Sequence, residues 1–82
     1  MGIYKKKIEQ LYELYEQPLY RIAYAILNNV EQAEDAVSNA FVLIIKNINQ
    51  INKPDSIETK NYVVRIVKST AIDIYRSNVR RV

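Results

Sequence analysis

The chain has 82 residues, enough for one small domain, and 49% of them are hydrophobic, too many for a disordered tail. Cysteine and histidine are absent, which excludes disulfides, zinc sites with thiolate or imidazole ligands, imidazole acid–base catalysis and thiol nucleophiles. The net charge of +3 hides a split: from Lys60 onward six basic residues stand against one acid, while the first 59 residues carry six bases and eight acids.

One Gly and two Pro leave little material for β-turns, so the expected fold is all-α. The longest apolar run, Ala40 to Ile45, is far short of the ~20 residues of a membrane span. The opening MGIYKKKIEQ lacks the apolar core of a signal peptide. No membrane insertion and a cytoplasmic location are therefore expected. No glycine-rich phosphate loop, nucleophile elbow or carboxylate cluster with a base is present, so neither an enzyme nor a cofactor is expected.

The first helix is set by Ile8, Leu11, Tyr15, Leu19, Ile22 and Ile26, which keep a helical period to about Leu27. Pro18 falls inside it and removes one backbone donor, so a kink or a split is expected there. Tyr4, Tyr12, Tyr15, Tyr20 and Tyr24 are expected to lay their rings on the edge of a small core with hydroxyls in water. Lys5–Lys7 read as a solvated first turn rather than a nuclear-import or lipid-binding patch.

Asn28–Asn29 separates the first helix from the second. Asn29 and Gln32 have capping-box spacing, and Glu31, Glu34 and Asp35 follow where the helix dipole favours acids. Ala33, Val37, Ala40 or Phe41, Ile44 and Ile48 point to a core. Asp35, Ser38, Val42 and Ile45 lie on another face. There Val42, Leu43 and Ile45 mark either a protein contact or a second buried side. Glu31 and Asp35 are one turn apart without a third ligand, so dipole placement accounts for them and no metal is expected.

Residues Asn47 to Thr59, NINQINKPDSIET, break the helical period and read as a loop, with Asp55 and Glu58 at capping-box spacing near its end. The third helix is expected from about Ile57 to Asn78. Val63, Val67, Thr70 and Ile74 form its apolar stripe. Arg65, Lys68, Ser69, Arg76 and Arg80 fall opposite, with Ile72 among them. A helix that packs on one side and presents cations on the other is built to meet something anionic. The whole reads as one domain, a small bundle of three main helices in antiparallel style.

Three blocks in fixed order, LYELYEQPLYRIAYAIL, NNVEQAEDAVSNAFVLIIKNI and NYVVRIVKSTAIDIYRS, resemble region 2 of bacterial RNA polymerase sigma factors, most nearly the extracytoplasmic-function group of the sigma-70 family. The resemblance runs from about Ile8 to Arg81. It implies transcription initiation as the function, with core RNA polymerase and single-stranded promoter −10 DNA as partners. Asp35, Ser38, Asn39 and Val42 then occupy the positions that dock on the β′ clamp helices. The loop Asn49–Asp55, with Lys53, occupies the base-capturing position. Arg65, Lys68, Ser69, Ile72, Arg76 and Arg80 face DNA. Tyr62 either stacks on a base or belongs to the core.

The chain departs from the family's usual pattern at Ser38, commonly Gln, at Ser69, commonly Asn, and at Leu43, commonly basic. The family's C-terminal helix-turn-helix domain, region 4, is not among these residues, so an excised domain or a truncated relative is expected. The rival reading is a helical interaction module that keeps the fold and binds a regulator such as an anti-sigma factor, without reading DNA.

Overall fold

The computed structural model describes residues 4–80 of the chain; Arg81, counted above in the basic end, lies outside them. Three helices make up the fold: α1 (Lys5–Leu27), α2 (Val30–Lys46) and α3 (Ile57–Arg80), with a short 3₁₀ turn at Ile48–Gln50 before α3. No strand occurs among the described residues.

Of the kink or split expected at Pro18, the split does not occur: α1 is one helix from Lys5 to Leu27 with the proline inside it. A mid-helix proline costs ~3 kcal/mol. Leu11, Tyr15 and Leu19 are buried on both sides of it, and each large apolar side chain so buried contributes ~1.5–3 kcal/mol. Packing on both flanks therefore outweighs the missing donor. Ala23 extends the stripe by another turn.

The α1–α2 joint is made by two asparagines with opposite tasks. Asn28 takes the left-handed conformation (φ 51°, ψ 40°), and its N–H donates to the Tyr24 carbonyl at 2.7 Å, closing α1. Asparagine tolerates this region better than other non-glycine residues. Asn29 is extended and its side-chain oxygen accepts from the Gln32 N–H at 2.8 Å, the expected N-cap. The reciprocal half of the capping box is replaced. The Gln32 amide pairs instead with Asn78 at the far end of α3, donating at 3.1 Å and accepting at 2.7 Å. Two amides that satisfy each other across helices serve both groups at once, and the pair fixes the start of α2 beside the end of α3.

All three helices pack on one another around a single core. α2 contributes Ala33, Ala36, Val37, Ala40, Phe41 and Ile44, so Ala40 and Phe41 are both inside. α3 contributes Val63, Val67 and Ala71, with Thr59 also buried, while Thr70 and Ile74 from the expected stripe sit half-buried. Phe41 is 1% exposed because Tyr12 of α1 stacks on it, centroids 4.0 Å apart and planes 9° from parallel. Such a pair contributes ~0.5–1.5 kcal/mol beyond the area it buries. Val42, Leu43 and Ile45 remain exposed at 53%, 43% and 37%. Of the two readings of that face, a second buried side is thereby removed.

α2 ends where the Asn47 side chain donates to the Leu43 carbonyl at 3.0 Å and its backbone N–H reaches the Leu43 and Ile44 carbonyls. The following segment is polar in composition yet pinned by Ile48 and Ile51, 6% and 2% exposed. The cap of α3 is Ser56, not Asp55. Ser56 Oγ accepts from the Thr59 N–H at 3.2 Å, and its carbonyl accepts from the Lys60 N–H at 3.0 Å. Serine at this position leaves the N3 place to Thr59, whose hydroxyl turns back to the Lys53 carbonyl at 2.7 Å. A carboxylate at Asp55 is one residue too early to reach those donors.

Candidate nucleic-acid interface

The segment between α2 and α3 has the composition of an ordinary surface loop, but α1 and its N-cap residue Tyr4 hold it at three points. The Tyr15 hydroxyl donates to the Pro54 carbonyl at 2.6 Å, and the Lys7 ammonium donates to the Ile51 carbonyl at 2.6 Å. The Tyr4 hydroxyl donates to the Asn49 side-chain oxygen, and Lys7 lies over the Tyr4 ring at 5.8 Å. Two expectations are corrected here. Lys7 is not merely a solvated first-turn lysine, and the Tyr15 hydroxyl is not in water. Burial, then the Asp55 carboxylate, pushes Tyr15 ionisation above the ordinary 10.0.

On its outer side the held loop forms a cleft of about 570 Å³ against the first turns of α3, within the ~300–1,000 Å³ range of sites that take small ligands. Asn52 and Lys53 of the loop and Glu58 and Tyr62 of α3 are among its walls. The Lys53 carbonyl is fixed twice, by Thr59 Oγ1 and by the Ser56 N–H at 3.1 Å, while the residue itself is exposed. Tyr62 is half-buried against the core, one of its two expected places, and it also lines the cleft.

From the cleft the outward strip of α3 runs along the rod-shaped molecule, whose extents are 45 × 21 × 19 Å. Arg65, Lys68, Ser69, Ile72, Arg76 and Arg80 are all exposed. At 3.6 residues per turn they fall within a strip about 120° wide and, from Arg65 to Arg80, about 22 Å long. Glu58, seven residues before Arg65, begins the same strip, although the sequence had marked it only as a partner for an Asp55 cap. Tyr75 and Val79, exposed at 51% and 54% near its end, were not singled out from sequence.

α2 turns a different strip outward. Asp35, Ser38, Asn39 and Val42 are all exposed, with Glu31 before them and Ile45 after them. Its N-terminal half is acidic and polar, and its C-terminal half is apolar. Ser38 also lies on the lip of a groove of about 460 Å³ between α1 and α2, shared with Tyr20 and Glu34.

A held loop with a cleft, a cationic helix beside it and a mixed acidic–apolar helix are thus assembled from residues 4–80. The model of the Sigma-70 region 2 family matches residues 11–81 of this chain. The chain belongs to the sigma-70 region 2 family. No match is found among curated proteins or among solved structures.

Region 2 membership carries a sigma-factor role in transcription initiation, and with it interaction with core RNA polymerase and promoter DNA. On this region 2 domain the sequence-predicted residues separate into two groups. Arg65, Lys68, Ser69, Ile72, Arg76 and Arg80 share the α3 strip, whereas Lys53 stands apart from them on the cleft. Asp35, Ser38, Asn39 and Val42 share the α2 strip. The cleft's own architecture, Ser56, Thr59 and the α1 clasp, was missed. The Ser56–Thr59 spacing is the signal that marked it. No helix among the described residues is long and apolar enough to cross a membrane.

Proposed function

We propose that this region 2 domain belongs to the extracytoplasmic-function group and works at promoter melting. α2 docks on the β′ clamp helices through Asp35, Ser38, Asn39 and Val42. α3 then holds the −10 strand, with Arg65, Lys68, Arg76 and Arg80 on phosphates and Ser69 and Ile72 toward the bases. The loop Asn49–Asp55, with Lys53, captures a base that has left the stack.

The observation that carries this reading is the loop cleft opening beside the cationic strip of α3. Phosphate contacts give affinity and register without sequence information. An unstacked base costs a few kcal/mol to expose, and a shaped cleft with Tyr62 as a stacking wall returns part of that cost. The test is binding of labelled single strands carrying a −10-like sequence, alongside capture of core polymerase. Affinity for the single strand above that for the same sequence as duplex, together with polymerase capture, supports the proposal. Equal affinity for both forms removes base capture.

The exposed Val42, Leu43 and Ile45 favour a protein contact on α2. That surface also suits the rival occupant, an anti-sigma regulator. Retention of such a protein by a domain without DNA affinity is the result that selects the rival reading.

A further inference from the structure

The loop between α2 and α3 has little regular structure of its own beyond one 3₁₀ turn. Its ends are fixed locally, by Asn47 at one side and Ser56 with Thr59 at the other. Its middle is held from outside, by residues more than thirty-five positions away in sequence: Tyr15 on the Pro54 carbonyl, Lys7 on the Ile51 carbonyl and Tyr4 on the Asn49 side chain. Two of these three bonds end on backbone carbonyls, so they specify the path of the loop and not the identity of its side chains. Their donors sit on α1 and its N-cap, which share neither the cationic strip nor the polymerase-docking strip.

We infer that Tyr15, with Lys7, is a positioning residue for base capture: α1 holds the loop in the shape that makes the cleft. The inference rests on the proposed capture of an unstacked base by this loop. The physical reason is preorganisation. If the loop adopts its cleft-forming path only part of the time, the apparent affinity for the base falls by that fraction. Each clasp bond raises the fraction without touching the ligand. Tyr15 suits the task because its ring is buried among core residues while its hydroxyl emerges beneath Pro54. The core therefore fixes the donor, and the donor fixes the loop.

Tyr15→Phe keeps the ring and removes only the hydroxyl. Lys7→Met keeps the stem and removes only the ammonium, and serves as the second variant should Tyr15→Phe disturb the core. Binding is measured with a labelled −10-like single strand and with strands in which one base at a time is abasic. In the wild-type domain the abasic position that weakens binding identifies the captured base. The expected result for either variant is about three- to tenfold weaker binding of the intact strand. Binding of the abasic strand and the salt dependence stay unchanged, while amide hydrogen exchange rises in residues 50–56. A merely structural role moves intact and abasic strands together and raises exchange throughout the bundle, and that outcome overturns the inference. Unchanged affinity and exchange in both variants overturns it too. Failure of the underlying reading is distinguishable, because the wild-type domain then binds intact and abasic strands alike. In that event no base is captured and the positioning role falls with it, whatever the exchange data give for the loop.

Discussion

α2 and α3 are built alike on the inside and differently on the outside. Each buries a stripe of small and branched apolar residues against the other two helices: Ala33, Ala36, Val37, Ala40 and Ile44 on one, Val63, Val67 and Ala71 on the other. Outward, α2 shows Glu31, Asp35, Ser38 and Val42, and α3 shows Arg65, Lys68, Ser69, Ile72 and Arg76. The inner stripes satisfy one requirement, a common core, and so converge. Under the proposed function the outer strips meet different partners, which accounts for their difference in charge. Between the two lie half-buried residues such as Thr70 and Ile74, but the residues named here fall clearly inside or outside, which makes substitutions on the two sides separable.

The comparison breaks most visibly at Phe41 against Asp35. Phe41→Ala empties a fully buried site and strips Tyr12 of its stacking partner. It should cost about 3–5 kcal/mol, read as a large fall in the denaturant midpoint. Asp35→Arg, six positions away but exposed, should leave the midpoint nearly unchanged. Equal losses would show that the inner and outer sides of α2 are wrongly drawn. The same Asp35→Arg protein should bind core polymerase more weakly by several kcal/mol, the cost of a like-charge juxtaposition. Undiminished capture would take Asp35 off the docking strip.

The α3 side is sharpened by Ser69. A serine hydroxyl makes one contact where an amide makes two, so the domain should discriminate little among bases opposite it. Ser69→Asn should add about 1 kcal/mol or more of discrimination between bases, in competition binding against strands differing at one position. Identical base preference in the two proteins would mean that Ser69 does not face the bases.

Two smaller effects follow. Ser56→Ala should destabilise the domain by about 1 kcal/mol through loss of the α3 cap, whereas Asp55→Ala should be close to neutral. The reverse order in thermal melts would restore Asp55 as the cap. Least in size is the phosphate contribution of one arginine. About four contacts to a single strand give a log–log salt slope near −3, and Arg76→Ala should make it shallower by roughly 0.7. An unchanged slope would remove Arg76 from the DNA side.

Periodicity by itself determined the three helices, their inner stripes and the cationic strip of α3. A helix repeats its faces every few residues, so spacing along the chain is spacing on the surface. It also determined the Asn28–Asn29 joint, because caps act within three or four residues. Only tertiary structure decided what depended on partners distant in sequence. Pro18 stays within one helix because Leu11, Tyr15 and Leu19 are buried on its two sides. Gln32 leaves its cap to pair with Asn78, and Val42, Leu43 and Ile45 stay exposed because no other helix covers them. The loop is the clearest case. NINQINKPDSIET carries no period, and its shape comes from Lys7 and Tyr15 on α1, from Tyr4 at its N-cap and from the burial of Ile48 and Ile51. Local propensity leaves such a segment's path open. Hydrogen bonds from a helix some forty residues earlier close it, and those bonds exist only once the bundle has formed.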